Sequence, residues 1–274
     1  MAATASSPAG NPPAETCRTP AGLRAMVTLV EEEFNRRGKA EERLREFITA
    51  ASHELRTPLT TISGYAQLVR LGALESPLQL DAAMERVQQE AARMTLLIDE
   101  LLLLARLDHG RPLERVRVDL ARLCSEVVAD ARVCAPERVI SYTVQLDAHE
   151  VRGDPNRLRQ VLINLLYNVR SHTPPEASVR VELTRDGPWQ VIDVIDDGPG
   201  IPQEFRERVF ERFFQVERQP HQAQDHGAPH SGTGLGLSVV AAIVESHGGT
   251  VRIEPSERGA WFRVRLPDRT LISL

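Results

Sequence analysis

Two groups of residues in this 274-residue chain are suited to chemistry: one exposed nucleophile on a helix, and a scattered set of amide, carboxylate and glycine positions. The nucleophile is His53, within the run F-I-T-A-A-S-H-E-L-R-T-P-L over residues 47–59. Apolar residues at Leu44, Ile48, Ala51, Leu55, Leu59, Ile62, Ala66 and Val69 recur in steps of mostly four and three, the repeat of a packed helix. At about 100° per residue, His53 falls roughly 200° from Ala51 and from Leu55, which turns its imidazole toward solvent. There it can exchange a proton or a phosphoryl group with a docked partner. Glu54 can orient the ring or accept its proton. Pro58 removes a backbone N–H and frees the Glu54 carbonyl, which predicts a kinked or loosened helix next to the histidine. A lone exposed His on a helix is more often only a solvated polar residue.

The second set lies in the C-terminal half. Asn164 and Asn168 are four apart on a predicted helix that starts at Asp154-Pro155, a side-chain cap followed by proline at the first helical position. Their amide oxygens share one face and can reach one hard cation, for which Mg²⁺ is suited; taken alone, two such Asn are usually surface polars. D-D-G-P-G-I, residues 196–201, follows an apolar strand. The glycines Gly198 and Gly200 let backbone approach a planar ligand, and Asp196 can accept a hydrogen bond from an exocyclic amine, with Asp197 expected on the solvent side. Alone, that motif is usually a turn. S-G-T-G-L-G-L, residues 231–237, carries Gly232, Thr233, Gly234, Leu235, Gly236 and Leu237 into a helix start, where bare N–H groups and the helix dipole favour phosphate. A loop precedes these glycines and no Lys follows them, which excludes both the dinucleotide fingerprint and the P-loop. Between the last two motifs, F-E-R-F-F clusters Phe210, Phe213 and Phe214. Their spacing reads first as a helical core stripe, and their clustering as an anchor for something mobile.

The elements that must position these residues fall into two patterns. The first helix ends near Gly72, and a second follows over 78–108 with Leu80, Met84, Val87, Ala91, Met94, Ile98, Leu101 and Ala105 in the same repeat. One hairpin cannot cover two apolar stripes, so two chains are expected to pair into a four-helix bundle, a homodimer. After Gly110 the period changes: an extended piece over 113–118, a helix capped by Asp119, strand-like runs at 139–146, 179–183, 191–195, 251–253 and 261–266, and helices at 156–171 and 235–247. That mixture predicts an α/β sandwich with helices on one face of a mixed sheet.

Composition sets the bounds. A net charge of −5 gives no electrostatic case for nucleic acid, because the basic residues alternate with acidic ones along helices. Three cysteines, Cys17, Cys124 and Cys134, have no metal-like spacing and suit a reducing compartment. No run approaches the roughly 18 apolar residues of a membrane span, and no signal-peptide pattern opens the chain, so a soluble, cytoplasmic protein or the cytoplasmic portion of a membrane receptor is expected. Residues 1–20, rich in Ala, Ser, Thr and Pro, read as disordered. His221, His226 and His230 fit no rigid metal pattern and read as solvated loop residues.

H-E-L-R-T-P-L, His53 to Leu59, resembles the phospho-accepting box of two-component sensor histidine kinases without a mismatch, and the other four motifs follow in that family's order over about residues 40–268. The resemblance implies that His53 takes the γ-phosphoryl group of ATP and passes it to an Asp of a response regulator. It further implies that Thr57 helps position water for dephosphorylating that partner; read alone, Thr57 is a helix residue ahead of a proline. By the same resemblance, Asn164 and Asn168 hold the Mg²⁺ of Mg-ATP and Asp196 reads the adenine amino group. Phe210 borders a flexible lid over 215–231, and the glycine run edges the triphosphate in a GHKL-type (Bergerat) ATPase fold, shared with gyrase and MutL. The implied organisation is α+β: a signalling helix over 21–42, in which Gly38 marks either a hinge or a plain helical extension, then a dimerisation and phosphotransfer hairpin over 43–110 and a catalytic ATP-binding domain over 113–270. Membrane attachment would come only through segments not in this chain. One departure stands out. Relatives continue N-A-x-K where this chain has Asn168, Val169, Arg170, Ser171, so a phosphate-contacting cation is replaced. That leaves open a phosphatase-biased or catalytically weak nucleotide-binding scaffold.

Overall fold

The computed structural model describes residues 20–74, 76–108, 114–145, 149–215 and 234–268, with side chains before residue 47 described only at Glu42 and Arg45. The N-terminal 1–19, most of the expected lid, its three histidines, Gly232 and Thr233 lie outside the described residues. The chain falls into two compact units, Met1–His53 and Glu54–Leu274.

Helix α1, Pro20–Arg70, is helical through Gly38 and through Pro58. It ends where Gly72 takes φ +65, a left-handed value that glycine adopts without steric cost, while Ala73 N–H bonds back to Leu68 O at 3.1 Å. Helix α2, Pro77–Asp108, opens with a reciprocal cap: Gln79 N donates to Ser76 Oγ and Ser76 N to Gln79 Oε1, at 3.3 and 3.2 Å.

In the single chain the apolar stripe expected on α2 is largely open. Leu80, Met84 and Ile98 are exposed, whereas Ala83, Leu97, Glu100, Leu103 and Leu104 are buried. Helix α2 packs against helix α5 (Gly236–Ser246) of the same unit. On α1, Ala51 and Pro58 are buried but Ile48, Leu59 and Val69 of the expected stripe are exposed.

The remaining elements in chain order are β1 (Val116–Asp119), α3 (Leu120–Cys134), β2 (Ile140–Val144), β3 (Glu150–Gly153), α4 (Pro155–His172), β4 (Val179–Asp186), β5 (Trp189–Asp196), α5, β6 (Thr250–Glu254) and β7 (Trp261–Pro267). Five strands form one sheet in the order β2-β4-β5-β7-β6, all antiparallel except the β2–β4 pair, and β1 pairs with β3 as a separate antiparallel ribbon. Strand alternation sends Val181, Leu183, Ile192, Val194, Phe262 and Val264 to one face, where all are buried. Leu158, Leu162, Leu165, Val239 and Ile243, from α4 and α5, complete that core. On the other face Asp193 is held by Trp261 Nε1 at 2.7 Å and Arg263 Nε at 2.8 Å. This is the expected sandwich, helices on one face only. The parallel β2–β4 pair makes the sheet mixed, as expected, whereas strand β3 was not expected. Among the described residues, no helix is long and apolar enough to cross a membrane.

Candidate functional site

His53 is exposed on α1, as its angular position requires. Hydroxyls flank it along the helix: Ser52 Oγ donates to Ile48 O at 2.7 Å, and on the far side of Pro58, Thr60 Oγ1 donates to Arg56 O at 2.9 Å. Glu54 is half-buried, with Oε2 3.7 Å from Arg93 Nη2 of α2, so its carboxylate is tethered on the side of the partner helix. Thr57 is exposed.

Helix α4 begins as predicted, with Asp154 Oδ1 accepting from Asn156 N at 3.0 Å and Arg157 N at 3.2 Å. Its entry is also locked by the buried His247 at the end of α5: Nε2 accepts from Asp154 N at 3.0 Å and Nδ1 faces Ile243 O at 2.7 Å. A carbonyl can only accept and an amide N–H only donate, so the ring is the neutral Nδ1–H tautomer. This lock fixes α4 against α5, and across their interface lie Asn164 and the glycine-rich start of α5. Asn164 Nδ2 donates to Gly236 O at 3.1 Å. Because that carbonyl can only accept, the amide oxygen of Asn164 is the atom left to bind something else. Asn168, half-buried, is one turn further along.

Asp196 closes strand β5 and is 4% exposed. Its Oδ1 accepts from Gly198 N at 2.9 Å and Ala260 N at 3.2 Å, so both bonds to described residues fall on one oxygen and Oδ2 remains to accept from a ligand. Burial pushes its carboxyl above the ordinary carboxylate range, and the neighbouring Asp197 charge adds to that; the Gly198 and Ala260 N–H groups and the Arg138 cation oppose it. Asp197 is not solvent-side as expected. It is half-buried and held by Ser178, whose N and Oγ donate to Oδ1 and Oδ2 at 2.7 and 3.0 Å. Gly200 has φ +75, and a Cβ there would lie 2.8 Å from Gly259 O. Gly259 itself has φ +73, and a Cβ on it would lie 1.8 Å from Asp196 O. Two glycine turns thus press backbone to backbone around Asp196.

The phenylalanine cluster is not a helical stripe. Arg208–Phe210 is a single 3-10 turn, Phe210 is half-buried, and Phe213 takes φ +60, rare for a bulky side chain. What holds it there is Gly234: Phe213 N donates to Gly234 O at 2.9 Å, and a Cβ on Gly234, at φ +67, would lie 2.8 Å from Phe213 Cα. Residues 213 and 234 therefore bring the two ends of the lid segment together. Leu235 is buried at the cap of α5, Gly236 and Leu237 are half-buried, and the apolar Leu235 side chain makes no cap bond, so a helix start of this kind suits an anion. Among the described residues, a Cβ on Gly236 would meet only Asn164 Nδ2, at 3.8 Å.

Asn164, Gly234, Leu235 and Gly236 are thus brought together at the α4–α5 junction, and Asp196, Gly198 and Gly200 at the β5 end. The described contacts do not place Phe210 or Leu237 on a ligand-facing wall. Sequence reading missed Gly259 and Ala260, which back Asp196. The signal available was Arg258-Gly259-Ala260 ahead of a strand, which looks like any turn.

Two family models match this chain: "His Kinase A (phospho-acceptor) domain" over residues 43–110 and "Histidine kinase-, DNA gyrase B-, and HSP90-like ATPase" over residues 153–270. "Probable sensor histidine kinase TcrY" of Mycobacterium tuberculosis is 40% identical over 261 residues, 95% of this chain and 53% of TcrY. Full-length ShkA, solved in complex with AMPPNP, superposes with a TM-score of 0.57 at 27% identity over 81% of this chain and 45% of ShkA. Histidine kinase ThkA, solved with response regulator protein TrrA, shares the fold at a TM-score of 0.68 and 24% identity, over 89% of this chain and 67% of the solved one. The chain spans about half the length of the curated relatives it matches first.

Proposed function

The chain belongs to the two-component sensor histidine kinases, and on that premise we propose that it is a protein-histidine kinase that phosphorylates itself on His53 and passes the group to an aspartate of a response regulator. The observation that carries the proposal is an exposed His in an intact H-E-L-R-T-P-L run on the same chain as a buried Asp196 with one carboxylate oxygen unspent.

In this reading Asp196 Oδ2 accepts from the adenine amino group, a bond that selects adenine because its counterpart in guanine is a carbonyl. The glycines at 198, 200 and 259 keep side chains out of the plane of the base. First-turn N–H groups of α5 hold phosphate oxygens, and Gly236 leaves the room they need. The amide oxygens of Asn164 and Asn168 suit Mg²⁺, which when bound neutralises charge on the phosphates. One imidazole nitrogen of His53 donates its lone pair to the γ-phosphorus. The N–P bond forms as the bond to the β,γ-bridging oxygen breaks, and ADP leaves with the electron pair. Glu54 takes the proton from the other ring nitrogen or orients the ring, and its tether to Arg93 limits where the carboxylate can point. Thr57 positions water for removal of the phosphoryl group from the partner aspartate. Exposed Leu59, Leu80, Met84 and Ile98 support the pairing of two hairpins into a homodimeric four-helix bundle. Free Cys124 and Cys134 fit work in the cytoplasm, where ATP is supplied.

The test is transfer of labelled γ-phosphate from Mg-ATP to the purified chain. The expected label survives alkali, is lost in acid, and is absent from His53→Ala. No label on a chain that binds ATP would overturn the kinase reading.

A further inference from the structure

Arg138 belongs to none of the motifs. It lies between α3 and β2, is 7% exposed, and directs its guanidinium at a single stretch of chain, the turn that follows α4. Nη2 donates to Thr173 O at 3.2 Å and Pro174 O at 2.8 Å; Nη1 donates to Thr173 Oγ1 and, at 3.3 Å, to Ala177 O. Only Nε–H has no partner among the described residues. Burial lowers the pKa of this guanidinium, so its charge is kept at a cost that an apolar residue would not incur.

The turn it holds touches the Asp196–Gly200 turn on two sides. Thr173 Cγ2 lies 2.5 Å from where a Cβ on Gly198 would sit, so the methyl backs the glycine turn directly. Ser178, at the other end of the turn, grips both oxygens of Asp197, and Asp197 N returns a bond to Ser178 O at 3.4 Å. Thr173 also closes α4: its N and Oγ1 both donate to Val169 O, at 3.0 and 2.7 Å. One cation therefore ties the C-terminal end of the helix bearing Asn164 and Asn168 to the turn bearing Asp196, and sits where a helix C-terminus favours positive charge.

We infer that Arg138 is a positioning residue for the base end of the nucleotide pocket, setting Asp196 through the 173–178 turn. The inference rests on the nucleotide-binding reading above. It assigns to Arg138 no contact with the nucleotide. What it fixes is the distance between Asp196 Oδ2 and the exocyclic amine.

The experiment compares two ligands on the full chain: ATP and its analogue lacking the exocyclic amine, purine riboside triphosphate. Wild type prefers ATP, because only ATP can donate to Asp196. Arg138→Met is expected to lower that preference about tenfold or more, the scale of losing one hydrogen bond to a charged group. Inorganic tripolyphosphate, which probes only the phosphate end, binds Arg138→Met as it binds wild type. Arg138→Lys, which keeps charge but not the fork, recovers part of the preference. Should Arg138→Met fail to fold, Thr173→Ser keeps the hydroxyl bonds and removes the methyl behind Gly198, and the same loss of preference is expected. A folded Arg138→Met or Thr173→Ser with the wild-type ratio between the two ligands would overturn the inference while leaving nucleotide binding intact. A wild type that binds neither ligand would overturn the nucleotide reading, and this inference with it.

Discussion

Replacing Gly259 by Ala should damage both the fold and nucleotide binding, whereas replacing Gly187 by Ala should do little. Both glycines have a positive φ, +73 and +55, so each Ala variant carries the left-handed penalty of about 1 to 2 kcal/mol. At Gly187, the turn between β4 and β5, no atom of the described residues lies within 4 Å of the added Cβ, and the penalty ends there. At Gly259 the Cβ would fall 1.8 Å from Asp196 O, a separation the backbone can relieve only by moving the turn away. That movement breaks the Asp196 N–Ala260 O and Ala260 N–Asp196 Oδ1 bonds, of 3.0 and 3.2 Å, each worth about 1 kcal/mol net. The expected destabilisation is therefore about 1 to 2 kcal/mol for Gly187→Ala and roughly 3 to 4 for Gly259→Ala. Urea unfolding followed by circular dichroism reads the difference, and titration with a fluorescent ATP analogue should show weakened binding for Gly259→Ala alone. Equal destabilisation of the two variants, or unchanged affinity in Gly259→Ala, would refute the packing of that turn on Asp196.

Asp196→Asn keeps the shape and the two backbone bonds but places a donor where the adenine amine also donates; ATP affinity should fall by about a hundredfold in a calorimetric titration, the scale of losing a charged acceptor and opposing two donors. Its stability should move the other way. The folded-state pKa of Asp196 is raised by burial, so its ionised form costs stability at neutral pH, and that cost fades as pH falls through the raised pKa toward the ordinary carboxylate range. Asp196→Asn should thus melt higher than wild type at pH 7, with the gap closing in acid. Gly234→Ala, at φ +67 with its Cβ 2.8 Å from Phe213 Cα, should cost about 1 to 2 kcal/mol from φ alone and separate residues 213 and 234; ATP affinity should drop while the β-sheet signal in circular dichroism stays. Leu59→Glu with Ile98→Glu, at positions 54% and 43% exposed in the single chain, should leave ATP binding unchanged and convert a dimer to a monomer by light scattering.

Much of this was legible in the sequence because the strongest signals are local. Asp119 and Asp154 announced their helices through side-chain caps, and the two runs in steps of four and three announced α1 and α2. Strand β3 was hidden because four residues, Glu150–Gly153, hold too little alternation to be read, and its reason for being a strand is its partner β1. That α2 also packs on α5 was hidden, because the sequence does not reveal which helix of the following domain meets it. Phe210 and Phe213 looked helical by spacing, yet the conformation of Phe213 is imposed by Gly234, twenty-one residues on. Gly259 and Arg138 escaped notice for the same reason: what each does depends on a contact with a distant segment, at Asp196 for one and at residues 173–177 for the other.

If His53 is the residue that receives the phosphoryl group, locating that group on the chain is decisive. The full chain would be incubated with Mg-ATP, digested at neutral to alkaline pH to preserve a phosphoramidate, and the peptide spanning His53 sequenced by tandem mass spectrometry. A single phosphoryl group is expected on the His53 imidazole, dependent on ATP and lost in Asp196→Asn at limiting ATP. A phosphoryl group on another residue, or none on a chain saturated with ATP, would contradict that.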